Sequence, residues 1–184
     1  MITVDGDTST NDSVFVLASG RAGNVEISHE GPDFSAFVAG LNQVAADLAR
    51  MIVRDGEGAT KLVEIRVKGA SSIQDARKIA RTIASSNLVK TAIFGNDANW
   101  GRVMAAAGRA GAPLDPDKVD IYLGQVKVAE AGRGVPFPED EARGQLDRKE
   151  VTITVDLHMG DAIACAWTCD LTYDYVRINA SYRS

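Results

Sequence analysis

The sequence predicts an α/β fold, because a strongly amphipathic helical pattern is followed by segments that alternate in the way strands do. Between Phe34 and Ile52, apolar side chains recur with helical periodicity. Residues 61–68 and 151–159 instead alternate apolar and polar side chains, which is the period of a strand. The chain has 184 residues, 45% of them hydrophobic, and can bury one sizeable core or two small lobes sharing one.

Composition argues against nucleic acid and membranes as partners. The net charge is −5, the pI is near 5.0, and no block of Lys or Arg stands out. No uninterrupted apolar run approaches the roughly 18 residues of a membrane span. The polar, acidic start from Met1 to Asp7 does not resemble a signal peptide. We therefore expect a cytoplasmic protein that binds neither nucleic acid nor a membrane.

The N-terminal third is predicted to contain one strand and one helix. Residues 5–12 are small and polar, which favours a surface turn or the lining of a polar site. The apolar run Ser13–Ser19 predicts a buried strand. Asp33 suits the N-cap of the helix that follows, and we expect its apolar stripe to be buried against a sheet.

A corner at residues 54–61 joins this helix to the first alternating strand. Glu57 lies there between Gly56 and Gly58. Gly56 suits the left-handed residue that ends a helix, whereas Gly58 is more than a cap needs and permits a sharp turn or a close approach. The corner is therefore either a capped helix end with a solvated acid, or a fixed carboxylate that pairs with a substrate ammonium group.

The rest of the chain mixes helical and strand patterns. Ser71 and Gln74 have the spacing of a capping box, Asn99 suits the cap of a short helix, and residues 138–149 predict a surface helix. A strand is predicted at Val119–Leu123. The last alternating segments predict a β-hairpin turning at residues 160–161, with apolar groups on both faces, so that the sheet would be covered on both sides.

Two pairs of residues in the predicted hairpin are candidates for chemistry. Asp156 and His158 would share a face of one strand, but residues so spaced lie ~6.5 Å apart, which is long for a hydrogen bond in a catalytic dyad. A structural histidine is the favoured interpretation. Cys165 and Cys169 also share a face, and with only His29 and His158 as further ligands no metal site is expected. Both cysteines are predicted to be buried.

Five long motifs, spread in order along the chain, carry a family resemblance. They are Ile-Thr-Val-Asp-Gly-Asp-Thr-Ser-Thr-Asn-Asp at 2–12, Arg-Asp-Gly-Glu-Gly-Ala-Thr-Lys at 54–61, Ser-Asn-Leu-Val-Lys-Thr-Ala at 86–92, Asp-Ala-Asn-Trp-Gly-Arg at 97–102, and the segment 169–184. Together they resemble the ArgJ family of ornithine acetyltransferases, also called glutamate N-acetyltransferases. The resemblance covers essentially the whole chain.

The resemblance implies a layered α/β sandwich of the ArgJ and DmpA-like type, related to N-terminal-nucleophile enzymes, with a C-terminal α/β lobe. The chain would be the C-terminal part of the family's β chain. Residues 1–58 would belong to a catalytic core shared with an upstream segment, and residues 59–184 would form the C-terminal lobe. The family's enzymes transfer acetyl from N-acetylornithine to glutamate in arginine biosynthesis, leaving ornithine. Some also use acetyl-CoA as donor, and no other cofactor is implied.

The resemblance also implies a precursor that cleaves itself at an Ala-Thr bond into α and β chains, which assemble as an α₂β₂ tetramer. The freed Thr is the nucleophile and forms an acetyl-enzyme. That Thr and its cleavage site lie upstream of this sequence, so no catalytic residue is assigned here. We expect this chain alone to be inactive.

The family's substrate-binding positions correspond to Glu57, Asn179 and Ser184. Glu57 would suit an ornithine ammonium group. Asn179 can donate and accept hydrogen bonds, and Ser184 offers a hydroxyl beside the terminal carboxylate. The alternative is a non-catalytic remnant or interaction module of the same fold that binds amino acids. A related amidohydrolase is a third possibility, against which the matches at 54–61 and 169–184 argue.

Overall fold

A computed structural model describes residues 1–9 and 11–181, and it confirms the α/β class. The strands are β1 (Leu62–Ala70), β2 (Asp120–Leu123), β3 (Val126–Glu130), β4 (Arg133–Gly134), β5 (Glu150–Asp156) and β6 (Ala162–Cys169). The helices are α1 (Pro32–Arg54), α2 (Ile73–Ala84), α3 (Asn87–Phe94), α4 (Trp100–Gly108), α5 (Glu139–Leu146) and α6 (Tyr173–Ser181). All six strands join one mixed sheet in the order β4-β3-β2-β5-β1-β6.

The predicted β-hairpin is wrong, because β1 lies between the two strands that were expected to pair. β1 runs parallel to β5 and antiparallel to β6. The connection from β5 to β6 therefore crosses the end of β1, where Leu157 N–H donates to Lys68 O (2.9 Å) and Met159 N–H to Gly69 O (2.7 Å). Gly69 makes the crossing possible, since a Cβ there would lie 2.6 Å from Asp156 Oδ1.

The larger hydrophobic core lies on one face of the sheet, and a smaller cluster of Val53, Leu62 and Cys169 is buried on the other face. The inward residues of β1 and β5 are almost completely buried, and they pack against the buried residues of α2. They are Val63, Ile65, Val67, Val151, Ile153 and Val155, with Ile79, Ala80 and Ile83 from α2. Burying one large apolar side chain contributes roughly 1.5–3 kcal/mol. The alternation of these strands thus produces a core with α2, whereas the sequence had predicted that the apolar stripe of α1 would supply much of it.

Away from that small cluster, the opposite face of the sheet is polar and partly open to solvent, so the prediction of two covered faces is wrong within the described chain. Arg66 is exposed, and Thr152 and Thr154 are half-buried. The reason is the register: because β1 is inserted, Arg66 is placed between Thr154 of β5 and Cys165 of β6. Cys165 is therefore only half-buried, against expectation, whereas Cys169 is buried.

Two predictions for the N-terminal third are wrong. Residues 13–19 form no strand, and Val14 and Leu17 are 92% and 93% exposed. A strand needs a neighbouring strand to take its backbone hydrogen bonds, and none of the described strands pairs with this segment. The helix α1 forms as predicted, but Phe37, Leu41 and the rest of its apolar stripe are largely exposed, and only Val53 is buried.

By length and composition, α1 could also cross a membrane, since it has 23 residues and is moderately apolar. A single helix of this kind is weak evidence, because the core helices of soluble proteins meet the same criterion. The apolar residues of α1 recur as a stripe, with polar residues such as Gln43 and Asp47 opposite. That amphipathic pattern is typical of a helix that packs against protein on one side.

Two of the shorter helices, α2 and α4, form where the sequence predicted them and differ in detail at their caps. Ser72, one residue after the predicted cap, accepts a hydrogen bond from Asp75 N–H at the start of α2 (3.1 Å). Asn99 caps α4, where its Oδ1 accepts from Arg102 N–H (3.2 Å). Residues 88–94, which are mostly apolar, belong to the helix α3.

His158 lies after the end of β5, in the connection that crosses β1. Its Nε2 is 3.2 Å from Asp120 Oδ2 and 3.6 Å from Asp156 Oδ2. Because β5 ends at Asp156, the two residues do not share a strand face as the sequence suggested. The contacts instead tie this connection to the start of β2, which supports the structural interpretation of His158.

Asp120, which lies beside this connection, is expected to give the protein an acid-dependent stability. Burial alone would raise the pKa of Asp120, but hydrogen bonds from Ala131 N–H, His158 and Lys127 hold that pKa below its ordinary value of 3.8. A lowered folded-state pKa stabilises the protein above the unfolded pKa, and this contribution is lost as the pH falls through the folded value. The free energy of unfolding should fall as the pH is lowered below 3.8, and it should fall less in Asp120→Asn than in wild type. Urea unfolding of both proteins at several pH values measures this difference. Equal acid dependence in the two proteins would contradict this assignment.

Candidate functional site

The corner at Glu57 is a tight turn that follows α1. The helix ends at Arg54, and the residue that caps it, Asp55, has a negative φ (φ −92°, ψ 13°). Ala59 N–H then donates to Gly56 O (2.9 Å). The left-handed residue is Gly58 (φ +65°), so the prediction that Gly56 provides a left-handed cap is wrong. The sharp reversal is needed after Glu57, where the chain meets α6.

Gly58 packs directly against the first turn of α6. Its carbonyl accepts a hydrogen bond from the Thr172 hydroxyl (2.7 Å), and the same hydroxyl oxygen accepts from Tyr175 N–H (3.2 Å). A Cβ on Gly58 would lie only 2.6 Å from Tyr175 N. Through these two hydrogen bonds, Thr172 caps α6 and holds it against the corner.

Asp170 holds the other side of the corner. It is only 3% exposed, and its Oδ1 accepts from Thr60 N–H (2.8 Å) and Lys61 N–H (3.0 Å). Its second oxygen accepts from the Thr60 hydroxyl. A buried carboxylate that accepts several hydrogen bonds is costly to disturb. The exit of the corner is therefore held by three hydrogen bonds to one buried carboxylate.

These contacts bring Glu57 and Asn179 together across 122 positions of sequence. Asn179 Nδ2 donates to Glu57 Oε2 (2.8 Å) and also to Tyr175 O (3.0 Å). Both side chains are exposed, and a carboxylate has more acceptor sites than one amide uses. The pair can therefore accept a further donor such as an ammonium group. The third predicted residue, Ser184, lies outside the described residues.

Asp5 and Tyr175 extend this cluster, and the sequence reasoning did not single them out. The Tyr175 hydroxyl donates to Asp5 Oδ2 (2.9 Å), so the polar cluster near the N-terminus does border the corner. Asp5 belongs to the motif 2–12 and Tyr175 to the motif 169–184. The residues around each motif did not indicate that the two motifs contact each other. The contact orients α6, and with it Asn179, relative to the N-terminal segment.

Tyr175 should therefore titrate late. Burial raises the pKa of Tyr175 to about 12, and the hydrogen bond to Asp5 and the charge of Glu57 act in the same direction. A raised folded-state pKa favours folding below the unfolded value of 10.0, and the benefit is lost as the pH rises towards 12. We expect one of the four tyrosines to ionise near pH 12 in an absorbance titration, and Tyr175→Phe to remove that step. If the step persists in Tyr175→Phe, the assignment is wrong.

Two buried lysines lie behind the corner, and neither was predicted. Lys90 is 1% exposed, and its Nζ contacts the Val4 carbonyl and Cys169 Sγ (3.6 Å). Lys61 Nζ donates to Ile93 O (2.8 Å), and burial lowers the pKa of Lys61. The sequence did offer one indication that Lys90 is buried, because this lysine stands among the apolar residues of α3.

The buried thiol next to Lys90 is not a good nucleophile. Burial raises the pKa of Cys169 despite the nearby ammonium group of Lys90, which lowers it. The reactive form of cysteine is the thiolate, so a raised pKa makes this thiol inert at neutral pH. Within residues 1–9 and 11–181, no three His, Cys, Asp or Glu side chains are arranged to hold a metal ion.

Comparisons with known proteins agree over the whole chain. The ArgJ family model matches residues 1–184. The "Arginine biosynthesis bifunctional protein ArgJ" of Symbiobacterium thermophilum is 58% identical over 184 residues, and that of Geobacillus kaustophilus is 54% identical over 183. These alignments cover 100% of this chain but only 46% and 45% of the relatives, so the chain spans about half their length.

The fold of this chain closely resembles that of a solved structure. It is the crystal structure of arginine biosynthesis bifunctional protein argJ from Bacillus halodurans, which is 49% identical and has a TM-score of 0.94. The similarity covers 98% of this chain and 85% of that chain. At this identity and score, the predicted fold type is confirmed together with the α/β class.

Proposed function

The chain belongs to the ArgJ family, and from that premise we propose that it forms part of a glutamate N-acetyltransferase of arginine biosynthesis. The complete enzyme would move acetyl from N-acetylornithine to glutamate and release ornithine. This chain would be the C-terminal part of its β chain, and would supply substrate-binding residues. The enzyme would be cytoplasmic.

The observation that carries the proposal is the contact between Glu57 and Asn179. The resemblance assigned both residues to substrate binding. Asn179 Nδ2 lies 2.8 Å from Glu57 Oε2, although 122 positions of sequence separate the two residues. The exposed carboxylate can pair with the side-chain ammonium of N-acetylornithine, while the Asn179 amide holds the carboxylate in place. Ser184 would complete the substrate-binding set.

The nucleophile in this proposal is a Thr outside the sequence. It would attack the acetyl group and form an acetyl-Thr intermediate, after autocatalytic cleavage of a precursor. Acetyl-CoA would be a second possible donor, and no resident cofactor is invoked. The 184-residue chain alone would then show no acetyl transfer.

A partner chain would cover the surfaces that this chain leaves exposed. We infer that the α chain of the same precursor packs on the apolar stripe of α1 and pairs with residues 13–19, within an α₂β₂ tetramer. Exposed apolar surface of this extent is typical of interaction sites. Residues 1–58 would in that case join a shared catalytic core, and residues 59–184 would form the lobe that contains the sheet.

The experiment is an acetyl-transfer assay on the native protein, combined with intact mass measurement of every species that co-purifies. We expect a β chain heavier than 19.6 kDa that begins with Thr, a companion α chain, and transfer from N-acetylornithine to glutamate. A lone inactive species of 19.6 kDa would overturn the proposal and leave the non-catalytic alternative.

A further inference from the structure

A second candidate site lies between α2 and the N-terminal segment 1–6, and it shares no residue with the Glu57 corner. The cavity has a volume of about 550 Å³, within the range of small-molecule sites. Its charged side chains are Arg77, Lys78 and Arg81, and no carboxylate lines it. In a chain of net charge −5, this is a local excess of positive charge.

The three cations project from one exposed face of α2. Arg77 and Arg81 are four residues apart, and Lys78 and Arg81 are three apart, so each pair consists of neighbours on the helix surface. Like charges at these spacings weaken a helix. None of the three forms an ion pair with a carboxylate in the part of the chain that the structure describes. A bound anion would neutralise all three at once.

The opposite wall of the cavity is anchored and offers a further donor. Thr3 N–H donates to Trp167 O (3.1 Å), which fixes the segment on β6. Thr3 Oγ1 accepts from Gly6 N–H (3.0 Å), and a hydroxyl that accepts one bond can still donate its own proton. The Asp5 carboxylate of this segment is engaged by the Tyr175 hydroxyl and is not part of the lining.

We propose that this cavity binds a compact anion with two or more negative charges. Guanidinium groups bind phosphate and carboxylate oxygens with two parallel hydrogen bonds, and an ammonium group adds a third positive charge. A phosphate ester and a polycarboxylate share this chemistry. The proposal rests on the α2 cations and the facing N-terminal segment, and it is independent of the acetyltransferase function.

The test is calorimetric titration of the complete protein, expressed from its whole gene, with pyrophosphate and, separately, with citrate, at constant ionic strength set by NaCl. We expect saturable binding to one site per copy of this chain. The double variant Arg77→Gln/Arg81→Gln should bind at least tenfold more weakly. The matched control Arg143→Gln removes an exposed arginine of α5 that does not line the cavity, and it should bind within twofold of wild type.

Each outcome decides the proposal. Binding of pyrophosphate alone identifies a phosphate ligand, binding of citrate alone identifies a polycarboxylate, and binding of both supports recognition by charge. The proposal is overturned if neither anion saturates, or if Arg143→Gln weakens binding as much as the double variant. If the double variant unfolds, Lys78→Gln is the second test, and it is expected to weaken anion binding about threefold.

Discussion

In the acetyltransferase proposed above, replacing Glu57 by Gln should raise the KM for N-acetylornithine roughly 10- to 150-fold, with a much smaller change in kcat. A hydrogen bond to a charged group contributes about 1.5–3 kcal/mol, and that energy converts to this range of affinity. The substitution keeps the size of the side chain and can still meet Asn179, so only the charge is removed. A group that binds substrate and transition state equally changes KM and leaves kcat unaltered.

The control for this variant is Glu150→Gln. Glu150 also carries an exposed carboxylate in a polar contact, here with Arg54, and its side chain is 70% exposed. Surface pairs of this kind contribute little, so its kinetics should match wild type. Steady-state assays with N-acetylornithine as the varied substrate measure both variants. An unchanged KM in Glu57→Gln would show that this carboxylate does not hold the substrate.

Gly58→Ala should destabilise the protein by about 2–5 kcal/mol. A left-handed backbone costs an L-residue roughly 1–2 kcal/mol, and forcing an extra atom into a packed site typically costs about 1–3 kcal/mol more. Both costs apply, because Gly58 has φ +65° and its added Cβ would lie 2.6 Å from Tyr175 N and 2.9 Å from Asp174 C. These are backbone atoms of α6, so relief requires the helix to move.

Urea unfolding of Gly58→Ala and of a matched control, Gly144→Ala, measures this effect. Gly144 lies in α5, and a Cβ there would meet nothing within 4 Å. Alanine is the better helix former, so Gly144→Ala should stabilise the protein by roughly 0.5–1 kcal/mol. The same chemical change thus has opposite expected signs. A Gly58→Ala protein as stable as wild type would mean that α6 does not pack on the corner as described.

Only some features of the Glu57 corner could be predicted from the sequence. The position of Glu57 between two glycines indicated a constrained carboxylate, and the family motifs indicated Asn179 as a second member. Which glycine is left-handed was predicted wrongly, because helix-cap preferences act locally whereas Gly58 is constrained by α6. The roles of Asp5 and Tyr175 were missed, since their hydrogen bond joins residues 170 positions apart.

The sequence by itself determined the α/β class, the family, and the type of most elements after residue 60. Helical and strand periods arise from backbone geometry over a few residues, so they can be read locally. Only the tertiary structure decided that β1 lies between β5 and β6, and that α6 brings Asn179 to Glu57. Such pairings depend on which distant surfaces bury one another, and the side-chain period of a strand is the same whichever neighbour it has.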